Sequence, residues 1–178
     1  MQQHLDDKRV DGLLFKYLHF YGSYDYVGSS TRWYPHEIRI IRNDKSIYSY
    51  KDAQGFRKGD DQKLNVKLLD AYVYHYGWVK DPRAMQRKQE NFHKMWHDDT
   101  WMKKNIRQAT EFDYSNIDLL EEYNGTHPAV YADRISKADW SFVYDKKTVK
   151  TNLKYLLLWW VERLCGWRIG ENKNYRLI

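Results

Sequence analysis

The sequence predicts a mixed α/β protein in which strands come first and helices follow. Residues 13–21, 36–42 and 70–76 alternate in side-chain direction with the period of two that is typical of β-strands. From Asp81 onward the apolar residues recur at a helical period instead. This order predicts a partial sheet with a hairpin, followed by a C-terminal group of helices.

Composition narrows the class of protein. The chain has 178 residues, 17% of them aromatic, and a net charge of +6, which suits phosphate-bearing partners. A single cysteine, Cys165, excludes an internal disulfide framework and fits a reducing compartment. The N-terminus lacks the apolar core of a signal peptide, and the longest apolar run, 155–161, is too short to cross a bilayer. We therefore expect a cytoplasmic protein.

The first 80 residues are expected to form the sheet. A tyrosine-rich surface loop at 22–31, which contains Tyr24 and Tyr26, follows the first strand. The turn residues Asn43 and Asp44 predict a hairpin that returns through 46–50. The later strands are expected at 64–70 and 70–76, with a break at Gly77.

Residues 81–178 are expected to form the helical region. Asp81 is a suitable N-cap and Pro82 a suitable first helical residue. On this helix Met85, Phe92 and Trp96 predict a face that packs in the core. The remaining expected elements are helices at 101–108, 115–125, 126–135 and 151–165 and a short strand at 140–144.

Two groups of residues carry candidate chemistry. Asp52, Gln54 and Arg57 place an acid, an amide and a base at a strand exit, where Asp52 serves either as a general base or as a turn cap. His75 lies at a strand end and is followed by Lys80 and Arg83, an arrangement suited to a divalent metal or a diphosphate. The alternative for His75 is a histidine held by a tyrosine or a backbone carbonyl. His93 and His97 have metal-ligand spacing, although a solvated helix end explains them better.

Four stretches carry a family resemblance. They are Trp-Tyr-Pro-His-Glu-Ile-Arg-Ile-Ile-Arg-Asn from residue 33, Tyr-Lys-Asp-Ala-Gln-Gly-Phe-Arg from 50, Leu-Asp-Ala-Tyr-Val-Tyr-His-Tyr-Gly-Trp-Val-Lys from 69, and Trp-His-Asp-Asp from 96. Together they resemble the C-terminal half of bacterial family 2 glycosyltransferases. The tail, with Gly-Thr-His-Pro and Lys-Asn-Tyr-Arg-Leu-Ile, resembles the end of the same proteins.

The resemblance implies a GT-A fold and inverting sugar transfer from a nucleotide-sugar to a carbohydrate acceptor, in cell-surface polysaccharide synthesis. It implies His75 as a ligand of Mn²⁺ or Mg²⁺. Asp52 is the first candidate for the catalytic base and Glu37 the second, because Asp-Ala-Gln stands where the family usually has an acidic pair. The expected donor-diphosphate contacts are Arg57, Lys80 and Arg83, and the expected acceptor contacts are Tyr24, Tyr26, Gln54 and Trp78.

The sequence departs from the family in one respect. It contains no Asp-x-Asp motif, which in the family holds the metal and the donor. We therefore expect a truncated product or a cloned fragment that is inactive alone and needs the metal only as part of a full-length enzyme. A missing half of the sheet would leave an edge strand and an apolar face exposed, so self-association is expected.

The C-terminal helix allows two interpretations. Leu153, Leu156, Leu157, Trp160 and Leu164 form an apolar stripe with basic neighbours, which either packs on the domain or contacts the inner face of the cytoplasmic membrane peripherally. A rival to the whole account is a non-catalytic basic and aromatic module for nucleic acid or anionic surfaces. No basic run exceeds two residues, so we do not expect a nucleic-acid partner.

Overall fold

A computed structural model describes residues 4, 6–51, 55–105, 109–146, 152–171 and 173–178, except the side chain of Lys103. The strands are β1 (Gly12–Tyr21), β2 (Tyr26–Gly28), β3 (His36–Ile41), β4 (Ile47–Ser49), β5 (Phe56–Lys58), β6 (Gln62–Lys63), β7 (Asn65–Trp78), β8 (Leu120–Glu122) and β9 (Arg176–Leu177). The helices are α1 (Pro82–Lys94), α2 (Asp99–Asn105), α3 (Ala132–Ser136) and α4 (Leu153–Cys165), with a 3-10 turn at Ala129–Tyr131. The mixed α/β class is confirmed.

The chain divides into two compact units that are interleaved along the sequence. Unit 1 comprises Met1–Leu18, Thr31–Tyr74 and Leu157–Ile178, and unit 2 comprises His19–Ser30 and His75–Leu156. Strands β1 and β7 and helix α4 each contribute residues to both units. Unit 1 therefore contains residues from both sides of residue 80, whereas the sequence predicts a boundary there between a sheet-forming part and a helical part.

Unit 1 is built around the first part of β1. This strand pairs antiparallel with β3, while β7 pairs in parallel with β9 near the C-terminus. The register of β1 shifts between Leu13 and Leu14, and each leucine enters a different apolar cluster. Leu14 packs with Ile38, Leu64, Val66 and Tyr175, whereas Leu13 packs with Val10 and Leu69. The strand is thus buried on both faces, which stabilises it as the centre of the unit.

The predicted hairpin between residues 36–42 and 46–50 is wrong. Strand β3 pairs with β1, and β4 pairs with β5 in a separate sheet of β4, β5 and β6. The Asp44 carboxylate accepts hydrogen bonds from the backbone nitrogen and hydroxyl of Ser46, so this turn is closed by a side chain. The turn signal was therefore real, but the strand that follows it, β4, pairs with β5 in a separate sheet and not with β3.

Unit 2 differs from the prediction in three places. The expected loop at 22–31 contains β2, and the expected helix at 115–125 contains β8, which pairs with β2 through Val27 and Glu121. Strands β2 and β8 are too short to show an alternating pattern in the sequence, so only their pairing defines them. Residues 140–144 form no strand among those described.

Helix α1 begins as predicted. The Asp81 carboxylate accepts hydrogen bonds from the backbone nitrogens of Arg83 and Ala84, and Pro82 follows it. Met85 is fully buried, but Phe92 and Trp96 are exposed, so the predicted core face holds only for the first turns. Among the described residues, no helix combines the length and apolar character needed to cross a membrane.

Candidate functional site

Unit 1 contains a cleft of about 780 Å³ between β3, the residues around β4 and β5, and the C-terminal segment. It is lined by Tyr34, His36, Glu37, Ile38, Tyr50, Lys51, Gly55, Arg57, Lys63, Asn174 and Tyr175. The lining combines aromatic rings with groups that donate or accept hydrogen bonds. A volume of several hundred cubic ångströms with few convergent polar groups is typical of a small-ligand site.

Glu37 is the acidic residue of this lining; it is the second residue of β3 and pairs with Phe15 of β1. Burial raises the pKa of its carboxyl group. Its Oε2 atom is buried and accepts no hydrogen bond from the described residues, although Nη2 of Arg39 lies 3.1 Å away as an ion-pair partner. The Arg39 guanidinium is itself positioned over the Tyr17 ring, 5.1 Å from its centroid. Glu37 therefore has unused acceptor capacity and a proton affinity above that of an exposed glutamate.

His36 precedes Glu37 and lines the same cleft. Burial lowers the pKa of its imidazole, partly offset by the Glu171 carboxylate, whose Oε1 lies 3.8 Å from Nδ1. The Tyr175 hydroxyl donates to the same Glu171 oxygen at 3.3 Å. The lowered pKa favours a neutral ring, which exchanges protons or hydrogen bonds without adding charge to the cleft.

Arg57 supplies a fixed positive charge to the lining of the cleft. The residue is buried, and its guanidinium stacks on Tyr50 with Cζ 3.9 Å from the ring centroid. Nη1 donates to the backbone oxygens of Phe56 at 3.0 Å and Asn174 at 3.5 Å, and Asp61 lies 3.6 Å from Nε. These contacts hold the guanidinium in one orientation, so it is a rigid wall of the cleft.

Tyr34 gives the cleft an accessible aromatic face. Its ring packs against Tyr17 with centroids 5.2 Å apart, yet about half of the side chain stays exposed. Burial of its hydroxyl raises the pKa of Tyr34 to about 12. The hydroxyl therefore stays protonated at neutral pH, and the ring presents a face on which a sugar can stack.

Two of the predicted residues, Glu37 and Arg57, thus meet at this cleft. Asp52 and Gln54 lie outside the described residues, so their predicted roles stay predictions. The described residues on either side of them, Lys51 and Gly55, line the cleft. Sequence reasoning missed Tyr34, His36, Tyr50, Asn174 and Tyr175. The available signal for His36 was its position next to Glu37. The contribution of the C-terminal segment gave no such signal, because it depends on a contact between Arg57 and Asn174, which are 117 residues apart in the sequence.

His75 lies in unit 2 and pairs with another histidine. Its Nδ1 is 3.2 Å from Nδ1 of His19, so one ring donates and the other accepts. The rings meet edge to face with centroids 5.2 Å apart. A Cβ atom added at Gly77, two residues along the chain, would lie 2.7 Å from Nε2 of His75, so a larger residue there would press against the end of this ring.

The histidine pair does not fit a divalent metal centre by itself. A hard divalent ion takes about six ligands, mostly oxygen, and here two nitrogens are directed at each other. Among the described residues, no group of three or more His, Cys, Asp or Glu side chains is gathered as such a site needs. The resemblance-based metal role of His75 therefore stays a prediction that requires ligands from elsewhere.

This arrangement predicts weak Mn²⁺ binding by the chain. Isothermal titration should give no saturation at micromolar Mn²⁺, and His75→Ala should leave the titration curve unchanged because the pair lacks oxygen ligands. A matched titration of His97→Ala controls for a surface histidine. Micromolar affinity that disappears only in His75→Ala would contradict the expectation and indicate a complete site.

The other predicted contacts also lie in unit 2. Arg83 is exposed, with Nε 3.5 Å from Glu111, and the Lys80 backbone oxygen accepts a hydrogen bond from Tyr114. Trp78 lies under the Lys88 ammonium, 5.5 Å from the ring centroid. Lys80 and Arg83 are therefore in a different unit from Arg57, and their shared diphosphate role stays a prediction.

Tyr24 and Tyr26 pack among other aromatic residues of unit 2. Tyr24 is buried, and its ring lies beside the rings of Tyr76, His127 and Trp140, with centroids 5.3–6.4 Å apart. Tyr26 contacts Phe142 and Tyr144 at 5.6 and 5.9 Å. The high aromatic content of the sequence is thus used largely for internal packing here, and the expected exposure of Tyr24 is wrong.

Comparison of the chain with protein-family models, with curated proteins and with solved structures finds no match.

Proposed function

We propose that the chain is the acceptor-binding region of a family 2-like glycosyltransferase and that the cleft of unit 1 binds the carbohydrate acceptor. The observation that carries the proposal is the buried Oε2 of Glu37, which accepts no hydrogen bond from the described residues while lining a cleft. Rotation of the carboxylate toward the cleft would let a sugar hydroxyl donate a hydrogen bond to this oxygen. The resemblance of the stretches around residues 33, 50 and 69 to such enzymes supports the same function.

In this proposal Glu37 is the general base. Inverting transfer requires removal of a proton from the acceptor hydroxyl as that oxygen attacks the anomeric carbon and the bond from this carbon to the nucleoside diphosphate breaks, releasing the diphosphate. A carboxylate with a raised pKa accepts the proton more readily. Arg39, 3.1 Å from Oε2, stabilises the ionised form that precedes the reaction. Among the described residues, no group of side chains forms a metal site for donor binding, so the proposal contains no step through a metal.

The remaining lining positions the acceptor. The exposed half of Tyr34 offers a stacking face for a pyranose ring, and the Arg57 guanidinium donates hydrogen bonds from a fixed orientation. His36, with its lowered pKa, provides a neutral hydrogen-bonding group. Aromatic faces combined with a carboxylate and a guanidinium suit a polyhydroxylated ligand better than a purely apolar one.

A matched pair of tyrosine variants tests the proposal. Tyr34 and Tyr72 are 48% and 49% exposed in the same unit, but only Tyr34 is among the residues that line this cleft. On an array of bacterial surface oligosaccharides, the wild type should bind at least one glycan. Tyr34→Ala should weaken that binding by about tenfold, the value of a lost stacking contact, and Tyr72→Ala should leave it unchanged.

The rival nucleic-acid function gives the opposite result. A protein held by phosphate contacts binds fluorescent single-stranded DNA with an affinity that falls steeply as salt rises. Salt-sensitive DNA binding without binding to any glycan would contradict the proposal. Equal losses in Tyr34→Ala and Tyr72→Ala would contradict the assignment to this cleft.

A further inference from the structure

Helix α4 exposes a continuous apolar face. Leu153, Leu157, Trp160 and Leu164 recur at helical spacing, and their side chains are between 50% and 76% exposed. At 100° per residue these four positions fall within a sector of roughly 60°. No residue of α4 is buried, and Trp167, just beyond the helix, is also exposed. These four members of the predicted stripe therefore do not pack on the domain, whereas the fifth, Leu156, is half-buried.

The charges of α4 flank this face. Lys154 and Arg163 are exposed and lie on its two opposite margins. The acidic residue of the helix, Glu162, lies on the far side, where its Oε1 is 2.6 Å from Nη1 of Arg168. Arg168 also donates to the backbone oxygen of Trp33. The apolar face is thus bordered by positive charge on both sides, with the negative charge directed away from it.

We propose that α4 docks on an anionic lipid bilayer and lies parallel to its surface. The leucines and Trp160 enter the boundary between headgroups and acyl chains, while Lys154 and Arg163 extend to the phosphates. This inference stands independently of the glycosyltransferase proposal, because it uses only the exposure and charge of the helix.

Charge favours a bilayer over a second copy of the chain. In a two-fold pair of α4 helices, antiparallel packing puts both copies of Lys154 on one margin and both copies of Arg163 on the other, and parallel packing puts one of each on both margins. Each margin then carries two positive charges and no acidic residue of α4, so a second copy offers these cations no charge of opposite sign. Lipid phosphates complement both margins at once. A short helix with two basic residues gives weak docking that depends on salt.

Vesicle co-sedimentation tests the proposal with the whole chain. The vesicles are phosphatidylcholine alone, and equal parts of phosphatidylcholine and phosphatidylglycerol, at low and high salt. One double variant, Leu157→Gln with Leu164→Gln, removes apolar side chains, and a second, Lys154→Gln with Arg163→Gln, removes the charges. The control is Val130→Gln with Val143→Gln, because both valines are more than 80% exposed and neither belongs to α4.

The wild type should bind the anionic vesicles at low salt about tenfold more strongly than the neutral ones. Both α4 variants should lose about tenfold of this binding, and the valine control should keep it. Circular dichroism should show that every variant is folded, since the changed side chains are exposed. Absence of wild-type binding to anionic vesicles at low salt would overturn the proposal. So would an equal loss in the valine control, or a dimer that the leucine variant converts to monomer without any vesicle binding.

Discussion

Replacing Phe20 with Ala is expected to cost about 3–5 kcal/mol of the free energy of unfolding. Phe20 is fully buried in unit 2, and its ring lies 4.7 Å from that of Tyr76, 5.0 Å from Tyr123 and 5.1 Å from His127, between centroids. The substitution removes apolar area and leaves a cavity. The Tyr76 hydroxyl is hydrogen-bonded to His127 at 2.7 Å, so these rings are held in place and cannot easily collapse into the space.

Phe92→Ala is the matched control for this prediction. It is the same chemical change on α1, but Phe92 is 53% exposed and its ring contacts His93 at 5.7 Å. We expect a change of less than about 1 kcal/mol, as for most surface substitutions. Urea unfolding followed by near-ultraviolet circular dichroism measures both variants. Equal destabilisation by the two substitutions would show that Phe20 is not a central packing residue.

Replacing Glu37 with Gln is expected to weaken glycan binding by about 10- to 100-fold, the value of a hydrogen bond to a charged group. The substitution keeps the size of the side chain but removes the charge of a carboxylate that lines the cleft. Glu122→Gln is the matched control, because Glu122 is an exposed strand glutamate in unit 2. Titration calorimetry with a glycan selected from the array gives both affinities. Unchanged affinity in Glu37→Gln would remove Glu37 from the binding site.

The same variant should change how stability depends on pH. Burial raises the folded-state pKa of Glu37 above its ordinary value of 4.5, so the folded protein holds this proton more tightly than the unfolded chain does. The wild type therefore loses unfolding free energy, relative to Glu37→Gln, as pH rises from the ordinary pKa through the raised one. Unfolding curves from pH 4 to pH 8 should show this divergence, and parallel curves would contradict it.

Local patterns predicted the elements that depend on local chemistry. The alternation at residues 13–21, 36–42 and 70–76 corresponds to β1, β3 and part of β7. The Asp81–Pro82 pair predicted the start of α1, because capping involves atoms within one turn of the helix. These signals depend on neighbouring residues and are therefore visible in a single sequence.

Pairings between distant short segments were not predictable in this way. Strands β8 and β9 have three and two residues, too few to show a period, and each exists because it pairs with a distant strand. The hairpin failed for the related reason that the strand after the turn, β4, pairs with β5 and not with β3. A turn signal shows where the chain bends but does not show which strand follows the bend.

The candidate site was predictable to a similar extent. Glu37 was named through the family resemblance, as the second candidate for the base, and Arg57 through its place at a strand exit; both line the cleft. Asn174 and Tyr175 were not identified, since they reach the cleft only through the packing of the C-terminal segment in unit 1. Tyr24 was misjudged because the sequence does not distinguish a buried aromatic ring from an exposed one.

The central claim is that the cleft of unit 1 binds a carbohydrate. Its most direct test is a titration of the isotope-labelled chain with the selected glycan, followed by backbone amide chemical shifts. We predict that the shifts concentrate in β3, in β5 and at residues 173–175, and that Tyr34→Ala reduces them. Shifts concentrated in α1 or α2 with none in β3, or no shifts at any glycan concentration, would contradict the claim.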